Sequence, residues 1–186
     1  MKSTVALVAV VVALLAAVPV PALEVSTRPG DAVLGGAAGL SAFRLDREAD
    51  RTSSLRVALR GSYFVSERWA VGAGFFLDRV DQENTDITTG RALAELMLVP
   101  IPDADLSPFL RVGAGYSRWT WRPGEGDKLR SEALTAEGAV GFFAFINEYF
   151  AVTVDAAYFY DRYDNNPENE DAHNLSATIG FVGFLR

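Results

Sequence analysis

Hydrophobic and polar positions alternate along most of this chain. In the stretch FLRVGAGYSRWTW, Leu110, Val112, Ala114 and Tyr116 fall on one face, and Arg111, Gly113, Gly115 and Ser117 on the other. A period of two marks a strand whose faces meet different surroundings. Eight such segments can be read: Val33–Arg44, Ser54–Val65, Trp69–Val80, Arg91–Val99, Phe109–Trp121, Glu132–Ile146, Phe150–Tyr163 and Asn174–Leu185. Strand-breaking clusters separate them, and no 3.6-residue period predicts a sizeable helix after the N-terminal segment. The connections alternate in length. SER (66–68), IPDADLSP (101–108) and NEY (147–149) are compact, whereas LDREADRT, DQENTDITTG, PGEGDKLR and DNNPENEDAHN are longer and polar. Short links at one end and long links at the other predict an all-β, eight-stranded antiparallel up-and-down β-barrel, and the residues on its two faces make it a transmembrane β-barrel. VSERWAVGAGF from Val65 echoes INEYFAVTVDA from Ile146, so those two hairpins should open to the same side.

The two faces differ in kind. One collects Leu55, Val57, Leu59, Val71, Phe75, Leu96, Leu110, Val112, Val140, Val154, Ile179 and Phe181, with no charge in mid-strand. The other collects glycine, alanine and serine, with Arg56, Arg60, Asp78, Arg91, Glu95, Arg111, Glu137 and Asp155. Placed outside, this second face would make a soluble, lipocalin-like barrel surfaced with glycine and almost no lysine. Placed inside, its small residues leave room in a narrow lumen, and four arginines meet four carboxylates as an enclosed ion-pair network. The apolar face then points at lipid, which a closed barrel tolerates because it leaves no backbone group unpaired. Aromatic residues cluster towards both strand ends and predict two girdles. Tyr63, Trp69, Phe109, Tyr149 and Phe150 lie at the short-turn end, and Tyr116, Trp119, Trp121, Tyr158, Tyr160 and Tyr163 near the long loops.

Composition narrows the setting. Lys2, the apolar run Val5–Val18 and the sequence PVPA read as a signal peptide over residues 1–22, leaving 23–186 as the barrel domain. The formal charge is −7 and falls to −8 once Lys2 is removed, so nucleic acid is not an expected partner. Only Lys128 then remains among the lysines, against 15 arginines in the whole chain. Arginine suits enclosed ion pairs because its planar fork holds carboxylates bidentately. The absence of cysteine excludes disulfides, thiolate metal sites and a lipidated N-terminal cysteine.

The stretches SPFLRVGAGYSR, SERWAVGAGFF and ATIGFVGFLR resemble the small outer-membrane β-barrel proteins of Gram-negative bacteria, the OmpA/OmpX-like families. The resemblance spans the chain from about Val33 onwards. It implies a monomeric eight-stranded barrel with both termini in the periplasm, inserted by the barrel-assembly machinery. Its surroundings would be outer-membrane lipid and lipopolysaccharide. The last strand departs from the pattern. Members commonly end in phenylalanine, and this sequence reads Phe184-Leu185-Arg186.

Chemistry is sparse. His173 is the single histidine, and Ser176 lies three positions on, so on a strand the two point to opposite faces. That geometry counts against a lipid A-modifying dyad. DNNPENEDAHN offers oxygen ligands without the spacing of a calcium loop, and VGAGY is not followed by the helix of a phosphate loop. No catalytic, cofactor or metal residue is therefore assigned. The sequence points to a non-catalytic outer-membrane barrel acting in membrane structure or surface interaction through its loops. A narrow pore, a lipid A-modifying enzyme and a soluble periplasmic barrel are the alternatives.

Overall fold

The structure, a computed structural model, describes residues 27–45, 52–82, 85–123, 129–163 and 171–186, with only the backbone at a few positions near the loop ends of strands. The segment read as a signal peptide lies outside the described residues. Eight strands follow in order: β1 (Ala32–Leu45), β2 (Thr52–Phe64), β3 (Trp69–Gln82), β4 (Thr85–Leu98), β5 (Leu106–Pro123), β6 (Leu129–Asn147), β7 (Phe150–Tyr163) and β8 (Ala172–Leu185). Each pairs antiparallel with its sequence neighbour, and β1 pairs with β8 to close the barrel, with Ala32 opposite Leu185. Closure leaves no strand edge unpaired.

The four long polar connections are shorter than the sequence suggested, most clearly between β3 and β4. There the ladder runs on to Gln82 opposite Thr85, so most of DQENTDITTG is strand. Thr85, Ile87, Thr88 and Thr89 are β-branched and favour the extended backbone, so their polarity does not end the hairpin. Strands β5 and β6 are the longest, at 18 and 19 residues.

The two hairpins that echo each other in sequence have equivalent turns. Ser66 Oγ accepts from the backbone N–H of Arg68 and Trp69 at 3.4 and 3.1 Å. Asn147 Oδ1 accepts from those of Tyr149 and Phe150 at 2.8 and 2.9 Å. Both turns lie at the barrel end that carries the start of β1 and the end of β8.

Alternation sorts every strand. Outward stand Leu59, Phe75, Val112 and Phe181, each 58% exposed or more, while Phe64, Arg56, Phe145 and Phe159 are fully buried in the lumen. Glycines let the interior fill. A Cβ on Gly141 would come within 2.5 Å of both the Phe109 ring and the Val154 carbonyl oxygen.

Candidate functional site

The lumen is stacked in layers. At the short-turn end Val33, Phe64, Met97, Val99, Phe109, Phe143, Phe145 and Phe184 form an apolar cluster. Phe143 lies 4.8 Å from Phe109 and 5.9 Å from Phe184, ring centre to ring centre. Above it sits a lower charged cluster. Arg60 reaches Glu95 at 3.4 Å, Asp155 at 3.2 Å and Glu137 at 3.5 Å. Arg111 reaches Glu137 at 3.1 Å, Asp155 at 3.7 Å and Glu95 at 3.8 Å.

A second apolar layer follows, with Ala58, Leu93, Ala139 and Ala157 around an edge-to-face Phe76–Phe159 pair at 5.2 Å. The guanidinium of Arg60 lies 4.7 Å from the Phe76 ring centre, and that of Arg56 4.3 Å from Phe159, so this aromatic pair separates two charged clusters. Cation–π attraction offsets part of the lost hydration of both arginines.

The upper cluster is tighter. Arg56 holds Asp78 bidentately, Nε to Oδ1 at 2.6 Å and Nη2 to Oδ2 at 2.7 Å, and also donates to Ser176 Oγ at 2.6 Å and Asn174 Oδ1 at 3.2 Å. Arg91 bridges Asp78 and Asp161, reaching Asp161 Oδ2 at 2.6 Å. Thr135 donates to Asp161 at 2.5 Å and Ser41 to Asp78 at 3.1 Å. At the loop end Tyr163, Ala133 and Ala172 pack with Trp119. A cavity of about 40 Å³ remains in the lower half, lined among others by Arg60, Glu95, Arg111 and Asp155.

The structure thus brings together all eight charged residues expected in the lumen and divides them into two groups. It adds Asp161, fully buried, which sequence reasoning passed over. Asp161 lies six positions after Asp155 on the same strand, so period two already placed it inside.

The girdles need correction. Tyr63, Trp69, Tyr149 and Phe150 at the short-turn end, and Tyr116 and Tyr158 at the loop end, are exposed on the outer wall, with Tyr160 partly exposed beside them. Phe109 and Tyr163, at 2% and 7% exposure, point into the lumen instead, and Trp119 packs inward against Tyr163. Phe109 and Trp119 share the parity of Arg111, and Tyr163 that of Asp155, so closeness to a strand end does not put them on the outer face. The side chain of Trp121 lies outside the described residues.

His173 bonds through Nδ1 to the hydroxyl of Tyr158, whereas Ser176 faces the lumen and accepts from Arg56. The two do not meet. Most of the acidic connection before β8 lies outside the described residues. Asp171, at its end, accepts from Tyr160. Among the described residues no group of three or more His, Cys, Asp or Glu side chains is arranged to hold a metal ion.

An outer wall of exposed leucine, valine and phenylalanine around a charged interior is the inverse of a water-soluble barrel. The family model for the outer membrane protein beta-barrel domain matches residues 10–182. The chain belongs to this outer-membrane barrel family. Solved structures share the fold of this outer-membrane barrel. Neisserial surface protein A superposes with a TM-score of 0.67 at 14% identity, covering 83% of this chain and 96% of that one. The attachment invasion locus protein Ail of Yersinia pestis gives 0.55 at 16%, covering 82% and 98%. OprG of Pseudomonas aeruginosa gives 0.53 at 16%, covering 88% and 99%. No curated protein matches the sequence. The protein resides in the outer membrane, with lipid against its apolar wall, and the soluble-barrel alternative falls.

Proposed function

We propose that this outer-membrane barrel is non-catalytic, that its lumen is closed, and that it acts at the cell surface through its loop end. The layered filling of the lumen carries the reading. Two ion-pair clusters and the phenylalanine layers occupy the passage, and eight strands leave an interior just wide enough for side chains. A strand crosses a membrane in about 9–11 residues, so β5 and β6 carry the wall beyond the bilayer. Exposed Arg118 and Glu132, paired at 2.5 Å, mark where the outer face turns polar. The barrel is monomeric in this reading, inserted by the barrel-assembly machinery after cleavage behind Ala22, so the mature chain begins at Leu23.

Planar-bilayer conductance tests the closed lumen. The mature protein should give no steady current at neutral pH, and a steady current would favour a narrow pore. The surface role is tested by replacing residues 164–170 with a glycine–serine run. Adherence of host cells should fall to that of cells without the protein, while heat-modifiable gel mobility shows the barrel still folded. Unchanged adherence, or loss of an acyl chain from lipid A on expression, would overturn the reading.

A further inference from the structure

The lumen charges do not balance. Asp161 upsets the four-to-four match expected from sequence: four arginines now face five carboxylates among the described lumen residues. The upper cluster is neutral by itself, with Arg56 and Arg91 against Asp78 and Asp161. The excess falls on the lower one, where Arg60 and Arg111 face Glu95, Glu137 and Asp155. The same cluster holds polar atoms without a hydrogen-bond partner: Glu95 Oε2, Glu137 Oε2, Asp155 Oδ1 and Arg111 Nε. These four residues are at most 6% exposed. No charged atom of the upper cluster is left in that state.

The sheet shows where the excess sits. Glu95 on β4 and Glu137 on β6 are both register partners of Gly113 on β5. No side chain stands between them on β5: the Glu137 carboxyl leans over Gly113, and Glu95 Oε1 fills the space over Gly74 on β3. A Cβ on Gly113 would lie 3.0 Å from Glu137 Oε2. Each Oε1 is engaged by Arg60 and Arg111, and each Oε2 is left over. Apolar layers lie on both sides of the cluster, and a buried unpaired charge is costly. Two guanidinium groups already on the carboxylates disfavour a metal cation. A proton needs no coordination shell and turns one leftover oxygen into a donor for the other.

We propose that Glu95 and Glu137, flanking Gly113 in the sheet register, hold one proton between them, making the lower cluster neutral. The O–H of one Oε2 donates to the Oε2 of the other. The charged groups facing this pair are Arg60 from β2, Arg111 from β5 and Asp155 from β7, and no ion pair of the cluster involves β1, β3 or β8 among the described residues. At alkaline pH the proton leaves to hydroxide, forming water, and two neighbouring carboxylates then repel. The folded state binds one proton more than the unfolded chain over the range before that loss. Stability therefore falls as pH rises through the titration of the pair.

The assignment rests on the closed lumen, because an open channel would admit a counter-ion from bulk water. Infrared spectroscopy of the mature protein refolded in lipid vesicles tests it. At neutral pH the parent should show the C=O stretch of one protonated carboxyl, and the band should vanish at alkaline pH. Glu95→Gln and Glu137→Gln should each abolish it, since either removes the excess, while Glu67→Gln in the short turn should keep it. The melting temperature of the parent should drop from neutral to alkaline pH, and that of Glu95→Gln should not. If a glutamine variant fails to fold, the pH dependence of the parent band decides. No such band in a parent that carries no current overturns the shared proton alone. No band in a parent that conducts overturns the closed lumen first. A band surviving in both folded glutamine variants also overturns the assignment.

Discussion

Asp78 ties the upper cluster together, because it is bidentate to Arg56 and also takes Arg91. Asp78→Ala leaves both buried arginines short of an acceptor. Its expected cost is about 3–5 kcal/mol, read from urea unfolding in lipid vesicles followed by tryptophan fluorescence. Gly141 works through space. A methyl group there would meet the Phe109 ring, the Val154 carbonyl and Asp155 Cβ at 2.5–2.8 Å, one of them rigid backbone. Gly141→Ala should cost about 1–3 kcal/mol in the same assay, as overpacking does. At this scale the sequence was legible wherever parity was followed. The eight charges expected inside all face inward, and Asp161, Phe76 and Phe159 share their parity. Phe109, Trp119 and Tyr163 were misplaced where position along the strand was allowed to outweigh parity. The pairing of Arg60 with Asp155, 95 positions away, was not legible, because partners across a lumen depend on the stagger of every strand between them.

A strand of this barrel does two jobs along its length. On β7 the outward residues run Phe150, Val152, Val154, Ala156, Tyr158 and Tyr160 before Arg162. That span is about 33 Å along the strand and about 25 Å along the membrane normal at a tilt near 40°. On β5 the matching run is Leu110, Val112, Ala114 and Tyr116, ended by Arg118. Val112 lies near the middle of it, exposed to lipid. Val112→Arg should weaken insertion by about 2–4 kcal/mol, measured as the folded fraction against urea in vesicles. An unchanged fraction would mean that this wall does not meet lipid. Element number, order and pairing were readable because alternation and turn spacing are local signals. The ends of β3 and β4 were not, because a polar threonine-rich segment reads the same as loop or as ladder beyond the lipid zone. The twin turns at Ser66 and Asn147 were anticipated by the repeat around them, although serine and asparagine share only the side-chain oxygen that accepts two backbone N–H groups.

Across the whole molecule the layers act in series. An ion crossing the lumen must pass the phenylalanine cluster, the lower charges, the Phe76–Phe159 pair, the upper charges and the Trp119–Tyr163 cap. If the lumen is closed as proposed, removing one barrier leaves the others standing, and resistance stays high until the last of them gives way. Asp78→Ala disrupts only the upper charges, Phe143→Ala only the short-turn cluster, and Phe159→Ala only the layer between, apart from the cation–π contacts of Arg56 and Arg91. Each variant should lose stability, with Phe→Ala costing about 3–5 kcal/mol, yet each folded variant should stay as silent as the parent in a planar bilayer. Stability and conductance are thereby separated: the first responds to any one layer, the second to none alone. If one of these variants conducts steadily while the other two remain silent, that layer is the gate and the remaining layers are porous to ions.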